Sequence, residues 1–293
     1  MTSRRNRRKK SSHHSSDSRL RNLISCFFAF LLSLVFVFGT ILLIVRCGIM
    51  SENAFMSIFD ADYYQYTLDE IRAKAEYYTT PTGIDLAVLE DAFAAEEIET
   101  GVKGYVHAAF EGREYTPDLS ALSRRLDSNL RDFFSSHQIV PEEGTIQDVI
   151  DEFTADISKI YTNNLIFPGL TRIGQLRRQY LHYDKLAIGA LALVALILII
   201  TIIRLHHYIH RALRYIAYAA GSAALMLLVV PGGLYLSKFY VGFNFQPRYF
   251  YHFMVNLVIR LLQSLMLGGL FWLVITVILA FVIAMRRSQL TRR

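Results

Sequence analysis

The sequence predicts an all-α membrane protein, with four transmembrane helices and an all-helical extracytoplasmic domain between helices 1 and 2. Three observations predict this class. Four long apolar runs contain no Asp, Glu, Lys or Arg. Basic residues flank these runs at alternate ends. The segment between the first two runs, residues 46–185, has apolar residues at helical spacing and no strand-like alternation.

The four runs predict the transmembrane helices, at residues 23–45, 186–203, 216–236 and 264–285. An α-helix rises about 1.5 Å per residue, so each run can cross a hydrocarbon core of about 30 Å, the second only just. Hydrophobic residues make up 53% of the chain and charged residues 19%. This composition excludes a soluble enzyme, a coiled coil, a disordered protein and a nucleic-acid-binding domain.

The basic residues predict the orientation. They are concentrated in a tail at residues 1–22, in a loop at 204–215 and in a tail at 286–293. Because short basic segments stay in the cytoplasm, both termini are predicted to be cytoplasmic, with 46–185 and an aromatic loop at 237–263 outside. The predicted location is the plasma membrane, and the lack of any N-x-S/T sequon favours a bacterial envelope.

Charge is divided unevenly along the chain. Residues 47–183 contain 23 of the 25 acidic residues and 11 of the 31 basic ones, a net charge of −12, although the whole chain carries +6. The pI of 9.3 therefore describes the membrane-flanking segments. Because the basic residues adjoin the apolar runs, they indicate a topogenic role and no nucleic-acid partner.

The first apolar run is predicted to be an uncleaved signal anchor. It is longer than the apolar region of a signal peptide, which is about 7–15 residues, and no A-x-A site follows it. Cys26 and Cys47, the two cysteines, lie about 31 Å apart if they share one helix, so they are not expected to form a disulfide with each other.

Apolar periodicity predicts about five helices in residues 46–185. Thr116 is predicted to cap one helix, Asp85 to begin another and Gly101 to end it. Residues 54–78 are predicted to be helical, and the segment 168–183 to continue into the second transmembrane helix. The clearest apolar faces are Leu119, Leu122, Leu126, Leu130 and Phe133, and Ile146, Val149, Ile150, Phe153, Ile157 and Ile160.

Three histidines follow the second apolar run, at His206, His207 and His210. On a continuous helix His206 and His210 share a face, so they are the weak candidates for a metal site, binding Zn²⁺ or haem iron. The alternative, which we favour, is an interfacial basic segment whose arginines face lipid headgroups. No metal and no cofactor is therefore predicted.

Acidic clusters in the outer segment, such as Asp60 with Asp62, are candidates for Ca²⁺ binding, although no loop has the spacing of an EF-hand. We favour a solvated acidic surface. The apolar runs contain no ionisable groups and no intramembrane protease motif, and we find no catalytic constellation in the sequence. A charge-driven transporter and an intramembrane hydrolase are accordingly disfavoured.

The third run contains Pro231, Gly232 and Gly233, a candidate hinge or a static kink, because proline removes a backbone hydrogen bond. Two pairs of small residues, Ala220 with Ala224 and Ser264 with Gly268, indicate close packing between spans or between subunits of a homo-oligomer.

The second outer segment is rich in aromatic residues, which favour the headgroup region of a bilayer. It is predicted to lie along the outer interface or to offer a docking surface for lipid or a partner helix. Its eight aromatic residues are Phe239, Tyr240, Phe243, Phe245, Tyr249, Phe250, Tyr251 and Phe253.

The predicted function is a non-enzymatic binding, sensing or scaffold role, exerted through the helical outer domain on a protein partner in the membrane or envelope. The order of one span, a large outer domain and three more spans resembles permease subunits of the exporter and cell-division type. That resemblance is one of topology, and it implies the alternative that the basic segment 205–215 contacts a separate cytoplasmic ATPase.

Overall fold

The computed structural model describes residues 3–137, 143–165, 169–206 and 208–291, and side chains within 20–137, 146–165, 169–206 and 208–286. The basic side chains predicted to orient the chain at 4–19 and 287–293 lie outside these ranges, as do His207, Pro141 and Pro168. Over the described residues the chain is all-helical and has no strand, as predicted.

Nine α-helices lie within the described residues. They are α1 (Ser3–Cys47), α2 (Glu52–Met56), α3 (Ala61–Thr79), α4 (Ala95–Glu111), α5 (Ser120–Ser136), α6 (Glu143–Leu165), α7 (Leu170–Leu205), α8 (Ile209–Ser237) and α9 (Arg248–Thr291). Short 3-10 turns lie at Thr80–Thr82, Leu86–Leu89 and Phe239–Gly242.

Four of these helices are long and apolar enough to cross a membrane. The qualifying segments are Leu20–Cys47, Leu170–Leu205, Ile209–Ser237 and Arg248–Arg286. All but the first are longer than the predicted runs by seven residues or more, because backbone groups stay hydrogen-bonded when a helix continues past its apolar part. The prediction that 168–183 continues into the second long apolar helix is confirmed by the single helix α7.

The chain forms two compact units, which are described separately. The apolar unit comprises residues 1–47, 183–239 and 259–293. The acidic unit comprises residues 48–182 and 240–258, and it contains 23 acidic and 12 basic residues. The predicted outer domain at 46–185 therefore lacks a segment that the structure assigns to the same unit.

The acidic unit has one continuous hydrophobic core. Phe253 is fully buried in it, and its ring centroid lies 5.0 Å from that of Phe59 and 5.8 Å from that of Phe55. Tyr249, one helical turn earlier, meets the buried Tyr63 at 5.8 Å. Aromatic pairs at these separations stabilise a core beyond the burial of their area. The segment 240–258 is therefore an integral part of this core.

Three helix boundaries differ from prediction. Thr116 does not cap α5, whose N-cap is Leu119, because Asp118 accepts the Ser120 backbone N–H at 3.0 Å. Asp85 does accept from Ala87 N, at 3.0 Å, but only a 3-10 turn follows it. Gly101 lies inside α4, where a Cβ atom would come within 2.7 Å of Leu165. It is a packing residue, and Gly112, with φ of +79°, ends this helix.

Within the apolar unit the helices approach through small residues. The buried residues of α8 are mostly alanine and include Ala220 and Ala224. A Cβ atom on Gly268 would lie 2.6 Å from Thr40 Cγ2 of α1, and one on Gly269 would lie 2.7 Å from Leu228 Cγ. These close approaches between spans agree with the predicted role of the small-residue pairs.

Candidate functional site

Two adjoining grooves lie on either side of the 3-10 turn Leu86–Leu89 in the acidic unit. Their volumes are about 470 and 390 Å³, and they share Asp85 and Ala87. The first is lined by Arg72, Glu76, Asp85, Leu86, Ala87, Leu89 and Glu90, and the second by Asp85, Ala87, Val88, Asn129, Asp132, Phe133, Ser136 and His137. We call them the twin grooves. Carboxylates and exposed apolar atoms, including Leu86 at 45% exposure, lie side by side in them.

The turn between the grooves is held in place by side-chain contacts with its neighbours. Asp85 accepts the backbone N–H of Ala87, and Asn129 of α5 donates to the carbonyl of Val88 at 2.9 Å. Val88 and Leu89 are buried in the core, whereas Leu86 and Ala87 are exposed. The surface is therefore formed in advance, which lowers the entropy cost of binding a partner.

A third groove, of about 320 Å³, lies between α4 and α5. Glu97, which lines it, forms a two-pronged ion pair with Arg125 at 2.9 and 2.5 Å, and Arg125 also donates to the Ala92 carbonyl. Tyr161 lies in its wall, and burial raises the pKa of its hydroxyl. The Glu97 carboxylate is already paired with Arg125, so the remaining carboxylates of this groove are those of Glu96 and Asp118.

Asp60 joins the two chain segments of the acidic unit. It caps α3 by accepting the Tyr63 N–H at 2.9 Å. From the other segment His252 Nε2 lies 3.0 Å from Oδ1, and Asn256 donates to Oδ2 at 2.9 Å. Partial burial raises the pKa of Asp60, but these hydrogen bonds outweigh it, so that the pKa lies below its usual value of 3.8.

Asp60, Asp62 and His252 each place one potential ligand atom within 4.8 Å of the others. Two carboxylates and an imidazole are a donor set suited to Zn²⁺ rather than to the all-oxygen shell that Ca²⁺ prefers. In the structure the Asp60 oxygens already accept three hydrogen bonds, so the cluster serves as a joint between segments. Sequence analysis singled out the aspartates but not His252, because nothing local pairs positions 192 residues apart.

The eight predicted interfacial aromatic residues have different surroundings. Tyr240, Tyr249 and Phe253 are buried within protein, so these rings are not free to contact a headgroup layer. Phe239 and Phe245 are exposed, and Phe243, Phe250 and Tyr251 are partly exposed. Burial follows helical spacing, because residues 249 and 253 lie one turn apart on α9 and face the core. An interfacial position stays a prediction for the more exposed rings.

The predicted histidine pair lies across a helix break in the apolar unit. α7 ends at Leu205 and α8 begins at Ile209, so His206 and His210 do not share one helical face. His206 Nε2 lies 2.9 Å from Ser25 Oγ, and its ring stacks on Tyr215 at 5.0 Å. His210 lies instead beside the Tyr208 ring. The geometric basis of the predicted metal pair is therefore absent.

The Ser25–His206 contact was not foreseen from the sequence. A serine hydroxyl beside an imidazole is the arrangement of a nucleophile and its base. Ser25 is fully buried, however, and among the described residues no carboxylate hydrogen-bonds to the His206 ring. The contact is best described as a hydrogen bond between α1 and the end of α7.

A buried ion pair joins the C-terminal end of α1 to the middle of α7. Arg46 Nη1 lies 2.8 Å from Asp184 Oδ2, and the Asp184 side chain is fully buried. Among the described residues no donor hydrogen-bonds to Asp184 Oδ1. Both residues lie at the ends of the predicted outer segment 46–185, and nothing in the sequence pairs positions 138 residues apart. A buried charge is costly unless it is paired, so Arg46 is essential for tolerating Asp184 in this position.

The candidate hinge at Pro231 lies inside helix α8, which continues without a break to Ser237. Pro231 is buried, a Cβ on Gly233 would meet nothing within 4 Å, and one on Gly232 would only touch Met266. The space around the glycines suits a kink that bends, but motion at this position stays a prediction.

Comparison with protein-family models, with curated protein sequences and with solved structures gives no match for this chain. Function is therefore argued from the geometry alone.

Proposed function

We propose that this chain is a multi-pass plasma-membrane protein that binds a protein partner of the membrane or envelope through its acidic unit. In this proposal four helices cross the bilayer, both termini are cytoplasmic, and the acidic unit lies outside the cytoplasm of a bacterial cell. Binding is non-enzymatic, and the partner presents basic and apolar side chains to the twin grooves.

One observation supports the sidedness independently of the charge rule. A folded unit with a continuous core lies on one side of a bilayer, because buried side chains cannot meet across it. The acidic unit is built from 48–182 and 240–258. These are the two segments that the basic flanks predict to be outside. Two arguments, one from charge and one from packing, thus agree.

The observation that carries the binding function is the chemistry of the twin grooves. They combine preformed apolar surface with the carboxylates of Glu76, Asp85, Glu90 and Asp132, which outnumber the one guanidinium group, that of Arg72. Carboxylates at the rim of an apolar patch select partners of opposite charge and speed their association. A segment with an apolar anchor flanked by Lys or Arg is therefore the complementary partner.

The sidedness can be tested by labelling single cysteines on intact cells. In a chain with Cys26 and Cys47 replaced by serine, the variants Tyr77→Cys and Asn244→Cys should react with a membrane-impermeant maleimide. Arg204→Cys should react only after permeabilisation. All three positions are exposed in the structure. Labelling of Arg204→Cys on intact cells, or protection of the other two, would rule the orientation out.

The binding function can be tested by site-specific photo-cross-linking in cells. A photoreactive amino acid at Ala87, in both grooves, should give a discrete adduct, whereas one at Lys159, exposed on α6 outside them, should not. Glu90→Lys should reduce the adduct, and Glu114→Lys, the same charge change outside the grooves, should leave it. Equal adducts at both positions would contradict a groove-specific partner. An adduct of twice the chain mass would identify a second copy.

The permease-type subunit remains the alternative. Its predicted ATPase contact at 205–215 includes in the structure the end of α7 and the first turns of α8, where Arg211 and Arg214 lie. Two adjacent helix ends offer a compact basic contact for a cytoplasmic protein. Copurification of an ATPase whose retention depends on Arg211 and Arg214 would favour this alternative over the first proposal.

A further inference from the structure

A polar cavity of about 300 Å³ lies in the apolar unit, where α1, the end of α7 and the start of α8 come together. It is lined by Asn22, His206, Arg211, Arg214 and Tyr215. Its size is at the lower end of the range of small-molecule sites, about 300–1,000 Å³. Among the residues whose side chains the structure describes, no acidic residue lines this cavity.

The two arginines of this cavity have no counter-ion within the described structure. Neither Arg211 nor Arg214 forms an ion pair there with a carboxylate, although Arg211 lies 5.7 Å from the Tyr208 ring centroid. Arg21 adds a third positive charge nearby, because it acts on His206 electrostatically. Such a set of cations favours an anionic occupant.

The neutral groups of the cavity suit the same occupant. Burial, together with the charges of Arg21 and Arg211, lowers the pKa of His206 below its usual 6.5, so the ring is mostly neutral at pH 7. When the Ser25 hydroxyl donates to Nε2, the ring proton is on Nδ1. Asn22 contributes an amide and Tyr215 a hydroxyl, both able to donate. Guanidinium groups bind phosphate through paired hydrogen bonds, which a carboxylate-free site leaves available.

We propose that this cavity binds a phosphate group, carried by an anionic phospholipid headgroup or by a soluble phosphate compound, with Arg211 and Arg214 as its cationic ligands. The proposal does not depend on the partner of the acidic unit. The cavity lies at the ends of three long apolar helices, the level at which headgroups are found, so both sources of phosphate have access to it.

The test uses the full chain in phosphatidylcholine nanodiscs, with phosphatidylglycerol in one arm and inorganic phosphate in the other. Binding is measured by native mass spectrometry and by the rise in thermal unfolding temperature with ligand concentration. We expect Arg211→Gln and Arg214→Gln each to weaken binding about tenfold or more, since a hydrogen bond to a charged group contributes enough free energy for this. The Lys variants at the same positions should retain part of the affinity.

Arg204→Gln is the matched control, because it removes the same charge from an exposed residue that does not line the cavity. It should change the affinity less than about threefold, as expected for screened surface charge. Binding of phosphatidylglycerol alone assigns the site to a headgroup, and binding of inorganic phosphate with the same variant pattern assigns it to a soluble compound. Absence of binding in both arms, or equal losses in all three Gln variants, overturns the proposal. Variants are compared only if their helical circular dichroism matches the parent chain.

Discussion

The two units bury different kinds of side chain. In the acidic unit the fully buried residues include large rings such as Phe55, Tyr63 and Phe253. In the apolar unit the buried face of α8 is mostly alanine, while large side chains such as Leu225, Val229 and Phe281 are more than 60% exposed. Water drives large apolar groups into a core, whereas lipid tails solvate them as well as protein does. This difference indicates that the acidic unit is suited to water and the apolar unit to lipid.

The two units also differ in how their polar groups are paired. The acidic unit keeps most of its ion pairs exposed, as in the pair of Arg131 with Asp127. The apolar unit instead pairs its few polar groups between helices, as in Arg46 with Asp184 and in Trp272 Nε1, which donates to Thr40 at 2.9 Å. Phe36 stacks on Trp272 beside that bond, at 4.0 Å. Unpaired polar groups are expensive where water is absent, so each contact fixes a helix position.

The largest expected effect tests whether 240–258 completes the core of the acidic unit. Phe253→Ala should lower the free energy of unfolding of that unit by about 3–5 kcal/mol, the usual cost of removing a buried ring. Phe281→Ala, at a ring exposed to 64%, is the control and should have little effect on it. The full chain is unfolded with denaturant, and proteolytic cleavage within residues 48–182 reports the unfolding of the acidic unit. Equal effects of the two variants would contradict a place for residues 240–258 in this core.

Breaking the buried ion pair should have a comparable effect in the apolar unit. Arg46→Ala leaves Asp184 buried without its partner, and should cost about 3–5 kcal/mol of stability in detergent or lipid. The double variant Arg46→Ala, Asp184→Ala should recover much of this loss. Arg131→Ala in the acidic unit removes an exposed pair and should cost far less. If the double variant is no more stable than Arg46→Ala, the loss of stability does not come from leaving Asp184 without its partner.

Adding a side chain where two backbone segments approach closely should lower stability by a smaller amount. A Cβ atom at Gly174 would lie 2.1 Å from the Ala109 carbonyl oxygen, so Gly174→Ala forces a backbone shift and should cost about 1–3 kcal/mol. Gly189→Ala lies on the same helix and meets nothing within 4 Å. It should be neutral or slightly stabilising, because alanine favours helix. Thermal unfolding of the two variants side by side separates packing from helix propensity.

The pH dependence of the Asp60 joint should be the smallest effect. The folded-state pKa of Asp60 lies below 3.8, so its stabilising contribution is fully present above that pH and is lost as the pH falls through the folded pKa. Asp60→Asn should make the stability of the acidic unit less steep in this acid range. Asp69→Asn, on the same helix, is the control. An unchanged slope in Asp60→Asn would contradict the role of its hydrogen bonds.

Local patterns predicted the helices well and their ends less well. The apolar faces containing Leu126 and Ile157 are buried as expected, since a helix with one apolar face has one way to bury it. Gly101 was read as a terminator because glycine often ends helices, but its role depends on Leu165, 64 residues away in the sequence. The shared helical face of His206 and His210 is absent for a similar reason, because no glycine or proline in the sequence between Leu205 and Ile209 indicates that one helix ends and another begins.

The candidate sites also include some features that the sequence predicts and others that depend on tertiary packing. The acidic surface between the first two apolar runs follows from composition, whereas the twin grooves depend on how α3 and α5 pack around one short turn. Arg46 and Asp184 are visible in the sequence as flanking charges, but nothing in their spacing joins them.

The sequence alone determined that this is an all-helical chain with four helices long and apolar enough to cross a membrane, and that its negative charge is concentrated between the first two. These properties are sums over neighbouring residues, so composition and periodicity contain them. Only the tertiary structure decided that residues 240–258 enter the core of the acidic unit, that Arg46 pairs with Asp184, and that Asn22 lines one cavity with Arg211 and Arg214. Such contacts join residues far apart in the chain, where the free energy depends on shape and distance that no local pattern records.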